Sequence, residues 1–123
     1  MALGTIASDT LQDGAGNSTA TINAIKGSAK AWCEYDTTNQ AIKASYNVSS
    51  VTYNSTADWT VNFTTAMPSA NYSYAVTGLA YQYSMPSIVA KSASNIEVRI
   101  ANQFGVTTSL QNTVSNSVVV FSN

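Results

Sequence analysis

The acid–base chemistry open to this chain rests on six carboxylates: Asp9, Asp13, Glu34, Asp36, Asp58 and Glu97. Hydrolysis of a glycosidic bond needs two of them about 5–10 Å apart. Glu34 and Asp36, two positions apart on one strand face, have a suitable spacing. The competing reading makes both solvated strand-end or turn residues, and the string Asp36-Thr37-Thr38-Asn39 favours it, because Asp and Asn bond to their own backbone in turns. Asp58, just before Trp59, reads as a turn residue for the same reason. Glu97 and Arg99 read as a surface pair on one outward face, which would contribute little. The chain has no His, so Ser-His-Asp and Cys-His machinery and His-ligated zinc are excluded. Its one Cys, Cys33, can form neither an internal disulfide nor a thiolate cluster, and reads as a small buried hydrophobe. No glycine-rich phosphate loop is present. The residues therefore predict no catalytic group, no metal and no cofactor, and a protein that is not an enzyme.

What remains is binding chemistry. Tyr72, Tyr74, Tyr81 and Tyr83, with Met85 beside them, could stack on a sugar or pack against another protein, since Tyr offers contact area at low entropic cost. The bland alternative puts Tyr72 and Tyr74 in the core of their own domain. Net charge is −1 with pI near 4.9. No basic stripe exists to release counterions from a phosphate backbone, so nucleic acid is not an expected partner. Weak mutual repulsion is compatible with self-association. Five Asn-x-Ser/Thr matches, at Asn17, Asn47, Asn54, Asn62 and Asn71, are what chance gives in so Asn-, Ser- and Thr-rich a chain.

The elements that would position these groups are strands. Charged residues make up 9% of the 123 residues, against about 25% in ordinary domains. Ser, Thr and Asn together supply 44. Thr suits a pleated surface and Ser and Asn suit turns, whereas Glu, Lys, Gln and Arg, which coat helices, are scarce. The Tyr, Trp, Val and Ile content supplies the burial that disordered chains lack. Ala31, Cys33 and Tyr35 alternate with Trp32 and Glu34. Ile42, Ala44, Tyr46 and Val48 line one face of the next segment, giving a hairpin. Trp59, Val61 and Phe63 alternate with Thr60 and Asn62, and Met67-Pro68 breaks that strand. Tyr72, Tyr74 and Val76 share a side, and a short turn between the two segments suggests an antiparallel pair. Residues 78–86 read as an irregular loop with exposed aromatic edges. A short strand is expected at 88–90. Ile96, Val98 and Ile100 point inward from another strand, with Gly105 ending the stretch after it. The run Val118-Val119-Val120-Phe121 suggests a strand covered on both faces.

No segment holds helical periodicity over three turns, and strands recur at short, even spacing. The expected fold is all-β: a single-domain antiparallel β-sandwich or jelly-roll-like barrel over residues 29–123. Residues 1–28 are Gly-, Ala-, Ser- and Thr-rich, carry the turn signal Asp13-Gly14, and offer at most a small-residue strand at 18–22. They read as an extended N-terminal arm lying along a neighbour or along the domain, with Ile22 as its contact. The start predicts no cleaved leader, and no span long enough for a membrane occurs.

Residues 30–74 resemble a module of marine and freshwater phage proteins. The resemblance lies in Lys30-Ala31-Trp32, in Ile42-Lys43-Ala44-Ser45-Tyr46-Asn47-Val48-Ser49-Ser50-Val51, in Asp58-Trp59-Thr60-Val61-Asn62-Phe63-Thr64-Thr65-Ala66-Met67-Pro68 and in Ala70-Asn71-Tyr72. Similar strings occur in tail-fibre C-terminal regions and small virion proteins, especially of cyanophages. The resemblance covers about a third of the chain densely. It implies a virion structural protein assembled in the host cytoplasm, and it carries no catalytic residues. Cys33-Glu34 departs from it, since the relatives more often have an apolar residue followed by Asn there.

An arm of about 28 residues is too short for a fibre shaft and suits a capsid decoration or cement protein. Many weak copies acting together would stabilise the shell, and a homotrimer would fit the three-fold points of a capsid lattice. Its partners would be itself and the major capsid protein. The second reading is the receptor- or glycan-binding tip of a tail fibre, with a host-surface glycan held at Tyr81 and Tyr83. The third is a carboxylate glycosidase.

Overall fold

Alternating apolar and polar side chains place one face of a strand inside and the other in water, and that rule accounts for most of this chain. The computed structural model describes residues 4, 7–79, 84–104 and 107–122. Among them lie strands β1 (Thr10–Gln12), β2 (Ser18–Ala20), β3 (Ala31–Asp36), β4 (Ala41–Tyr46), β5 (Val48–Ser55), β6 (Asp58–Phe63), β7 (Ser73–Gly78), β8 (Ser84–Lys91), β9 (Asn95–Phe104), β10 (Thr107–Leu110) and β11 (Asn116–Phe121), and one helix, α1 (Thr21–Gly27).

Two antiparallel sheets form the sandwich. One runs β4-β3-β11-β7. In the other, β9 is long enough to serve three partners. Ile96 pairs with Val61 of β6 and with Lys91 of β8, and Ala101 pairs with Leu110 of β10 and with Met85 of β8. Strand β8 therefore takes one edge of β9, while β6 and then β10 share the other. Strand β5 completes that sheet beyond β6. The core lies between the sheets. Trp59, Val61, Phe63, Ile96, Val98 and Ile100 meet Ala31, Cys33, Tyr35, Val118 and Val120, all buried. Full burial of each large aliphatic contributes about 1.5–3 kcal/mol. The Trp59 indole is wholly enclosed and its N–H has no partner among the described residues. An unmet buried donor costs about 1–3 kcal/mol. The 150–250 Å² that such a ring buries outweighs that at roughly 25 cal/mol/Å².

Asn47 turns the chain from the first sheet into the second. Its φ of 55° lies in the left-handed region, which Asn tolerates better than most residues. Its side-chain amide donates to the Lys30 and Thr65 carbonyls at 2.9 and 3.0 Å, and its oxygen accepts the Thr65 N–H at 2.7 Å. Gly78 leaves room for Ile100 of the facing sheet. A Cβ there would stand 2.3 Å from Ile100 Cδ1 and 3.1 Å from Asn116 Oδ1. Asn116 is buried and spends its amide on the Tyr35 and Thr113 carbonyls, both at 3.0 Å.

Several expectations are corrected by this topology. Strands β6 and β7 do not pair; they lie in different sheets, because the stretch around buried Met67 crosses the sandwich, held by Met67 N–H on the Ala93 carbonyl. Ile42 does not share a face with Ala44 and Tyr46. Glu34 faces Ala44 while Tyr35 faces Ile42, so Lys43 is an extra residue that flips the alternation. Val48 belongs to the other sheet. Strand β11 is covered on one face only: Asn116, Val118 and Val120 are buried, and Val119 and Phe121 are half-buried. Met85 and Pro86 belong to β8, not to a loop. Pro86 is tolerated because β8 is an edge strand that pairs with β9 alone. Strand β10 was not anticipated. Gly105 lies outside the described residues.

The N-terminal segment pairs with neither large sheet. Strands β1 and β2 form their own hairpin, closed by Asp13, whose carboxylate accepts the Ala15 and Asn17 N–H groups and the Asn17 amide, all at 2.9 Å. The strand expected at 18–22 ends at Ala20, and Thr21 and Ile22 open α1 instead. The helix is seven residues long with no buried residue, too short to leave a helical period in the sequence.

Candidate functional site

Asp13, Glu34, Asp36, Asp58 and Glu97 accept hydrogen bonds from neighbouring groups. Asp36 accepts the Thr38 and Asn39 N–H groups and the Asn39 amide, each at 2.9 Å. Those bonds, the Asn39 amide foremost, hold its carboxyl below the ordinary range, with Lys43 adding to them. A general acid in a glycosidase needs its carboxyl raised, so this shift runs the wrong way. Glu34 accepts the Ser115 hydroxyl at 2.9 Å. Asp58 is not a turn residue. It opens β6, buried, and takes Arg99 Nε at 2.9 Å and Nη2 at 2.6 Å on one oxygen, with the Asn54 amide at 3.0 Å on the other. Arg99 therefore pairs across the sheet with Asp58, not along its own strand with Glu97. Burial pushes the Cys33 thiol up to about 11, with Glu34 adding to it, which leaves a trace of thiolate at neutral pH. No group of three or more His, Cys, Asp or Glu that could hold a metal occurs among the described residues.

The interaction residues named from the sequence fall in different environments. Tyr72 is not at the surface. It packs edge-on against Phe63 at 6.0 Å and donates its hydroxyl to the Asn95 carbonyl at 2.8 Å. Burial pushes that hydroxyl up to about 12. Tyr74 is half-exposed at the sandwich edge. Lys91 Nζ sits 5.3 Å from its ring and 4.9 Å from that of Tyr72, and donates to the Tyr72 carbonyl at 3.0 Å. Met85 is exposed on the outer face, in a row with Ala101 and Leu110. Ile22 is exposed on α1. Tyr81 and Tyr83 lie outside the described residues.

The surface that stands out was read from the sequence as a strand pattern and not as a site. Trp32 lies directly opposite Tyr46 on one side and Val119 on the other, and Val119 opposite Ala75. Residues opposite one another share a face, so Tyr46, Trp32, Val119 and Ala75 form one row across all four strands of the first sheet, on its outer side. Trp32 is 38% and Tyr46 58% exposed. The signal was present: Ala31, Cys33 and Tyr35 claim the inner face of β3, which sends Trp32 outward. Beside Tyr46 a cleft is lined by Lys30, Asn47, Thr64, Thr65 and Pro68. Near the other end of the face, Lys26 of α1 approaches Ser73 and Phe121. Such an aromatic strip can bury against a protein surface or stack on the apolar face of a sugar ring. No family model, no curated protein and no solved structure matches the chain.

Proposed function

We propose that the protein is a bacteriophage virion structural protein, a homotrimeric capsid decoration or cement protein that binds the major capsid protein and stabilises the shell. The observation that carries this reading is the outer face that presents Trp32 and Tyr46, an apolar aromatic strip on a domain whose carboxylates and thiol are spent on structure. Such a strip suits repeated protein contacts and not turnover. The resemblance of residues 30–74 to phage virion modules supports a place in the virion. Purified particles with protein composition counted by mass test it. Hundreds of copies per particle are expected; absence from the shell would reject it.

A second reading, the receptor- or glycan-binding tip of a tail fibre, draws on the same Trp32–Tyr46 pair and the cleft with Lys30 and Thr65 beside it. A few tens of copies per particle, with glycan-array binding lost in Tyr46→Ala, would favour it.

A further inference from the structure

Along the strand direction, charge divides between the two ends of the sandwich. One end holds the Asp36 turn with Lys43 beside it and the buried Asp58–Arg99 pair, so positive and negative groups meet there. At the other end β3, β7 and β9 begin and β6, β8 and β11 stop. Three of the chain's four lysines collect at that end. Lys30 immediately precedes β3, Lys91 closes β8, and Lys26 lines a recess with Asn71, Ser73 and Phe121. Among the described residues none of the three forms an ion pair. Even set against a chain-terminal carboxylate at Asn123, they leave a positive excess on a chain whose net charge is −1.

A cavity lies beside this charge. The cleft next to Tyr46 holds about 580 Å³, inside the range of roughly 300–1,000 Å³ typical of small-ligand sites. It adjoins the Lys26 recess at Ser122, and no carboxylate side chain lines either one. The exposed Tyr46 ring forms one wall. The Asn47 side chain fastens the wall to the Thr65 backbone through two hydrogen bonds. Among the described residues the hydroxyls of Tyr46, Thr64 and Thr65 make no hydrogen bond. Lys30 Nζ donates to the Ile25 carbonyl and, at 2.9 Å, to the Ser28 hydroxyl, which leaves one of its three N–H groups unspent. The cleft thus combines an aromatic face, free hydroxyls and an ammonium group.

We propose that this cleft binds an acidic glycan, a sugar chain bearing carboxylate or sulfate groups. The Tyr46 ring packs on the apolar face of one sugar residue. Thr64 and Thr65 exchange hydrogen bonds with its hydroxyls. Lys30 and Lys26 meet the acid groups through charge-assisted bonds, about twice as strong as neutral ones, and Lys91 adds to the positive potential of that end. Three lysines are few for a nucleic-acid backbone, whose affinity grows with each phosphate neutralised, whereas one or two acid groups on a short sugar match them. This rests on the glycan-binding reading and names the class of glycan.

The test titrates the full chain by calorimetry at low salt with tetragalacturonate, a heparin tetrasaccharide, neutral maltotetraose and a short thymidine oligonucleotide. At least one acidic sugar should bind, about 10-fold or more tighter than maltotetraose, and the better of the two tells carboxylate from sulfate. Raising salt to ~0.2 M should weaken that binding about 10-fold, because the charges are near the surface. Lys26→Glu and, separately, Tyr46→Ala should each weaken it about 10-fold or more. Both side chains are exposed, so the circular dichroism spectrum should not change. Lys43→Gln, beside Asp36 at the opposite end, should leave binding as it is. No binding of either acidic sugar overturns the proposal. So does equal binding of maltotetraose, tighter binding of the oligonucleotide, or affinity that survives both Lys26→Glu and Tyr46→Ala. Copy number per particle is a separate reading. A tail location without sugar binding rejects this site alone, and sugar binding by a chain present in hundreds of copies rejects the tail tip alone.

Discussion

On the outer face of the β5-β6-β9 sheet, Asn62 donates to the Ser50 and Thr52 hydroxyls at 3.1 and 3.2 Å, Asn54 reaches Thr60 at 2.9 Å, and Arg99 grips Asp58. On the outer face of the β4-β3-β11-β7 sheet, the central row is Tyr46, Trp32, Val119 and Ala75, and among the described residues none of these side chains makes a hydrogen bond. Both faces come from the same period-two rule. The first consumes its polar groups across β5, β6 and the start of β9, and its apolar row, Met85, Ala101 and Leu110, lies apart from them toward β8 and β10. The second leaves apolar area uncovered. The contrast shows that a strand pattern assigns a residue to a side, while the chemistry at cross-strand neighbours decides whether that side is an end in itself.

The largest expected effect contrasts one residue from each face. Asp58→Ala removes the partner of Arg99 and of the Asn54 amide at a site where Asp58 itself is 2% exposed. It should lower unfolding free energy by about 2 kcal/mol, the scale of lost hydrogen bonds to a charged group, because Arg99 is half-exposed and is hydrated once its partner is gone. Trp32→Thr should change it by less than about 1 kcal/mol, because a half-exposed outward side chain is replaced by a good strand former. Urea denaturation at protein concentrations low enough to keep the chain monomeric measures both. Equal costs would mean that the apolar face is part of the fold's own stability and erase the distinction.

Much of the sandwich was legible in the sequence because alternation reports facing directly. Ile96, Val98 and Ile100 lie in the core as expected, the shared face of Ala31, Cys33 and Tyr35 is the buried one, and the Asp36 turn is where its side-chain chemistry placed it. Pairing was not legible. Trp59–Phe63 and Ser73–Gly78 look like hairpin partners, yet alternation cannot tell the same sheet from the opposite one. A one-residue bulge at Lys43 reverses parity with no signature in composition. The Arg99 partner was missed for a related reason: Glu97 is near in sequence, whereas Asp58 is opposite in register. Tyr72 was ambiguous because Tyr serves cores and surfaces alike, and its hydroxyl found a carbonyl inside. Alternation separated Trp32 from Ala31, Cys33 and Tyr35 without saying which side faces out, and its importance depends on Tyr46 and Val119 lying beside it, which only the register supplies.

Acid should act on the turn that leads into the apolar face. The Asp36 carboxyl is held below its ordinary 3.8 in the folded chain. A depressed folded value means the stabilisation is present above the unfolded value and is lost as pH falls through the folded one. Stability should therefore be flat from neutrality to about pH 5 and fall below pH 4. Asp36→Asn keeps an acceptor for the Thr38 and Asn39 N–H groups and should have a shallower fall over the same range, read from melting temperature against pH. Identical slopes in the two proteins would show that Asp36 does not contribute to the acid response. Asp13, lowered in the same way by Asn17, would then be the carboxylate to replace.

The smallest effect separates the stability of the hairpin from the adhesiveness of its surface. Gln40, exposed in the β3–β4 turn, has a φ of 54°. The left-handed conformation costs a residue with a Cβ about 1–2 kcal/mol, and glycine removes that cost while giving back about 0.5–1 kcal/mol in chain entropy on folding. Gln40→Gly should stabilise the fold by about 0.5 kcal/mol, a net gain because the strain term is the larger. The turn is at the end of β3 and β4 away from the directly opposed Trp32 and Tyr46, so the aromatic pair keeps its register. Association should therefore match the wild type while the melting temperature rises slightly. If association strengthened in step with stability, the apolar face would be drawing its grip from hairpin order instead of from the area that Trp32 and Tyr46 expose, and the contrast between the two faces would have to be restated as one of rigidity.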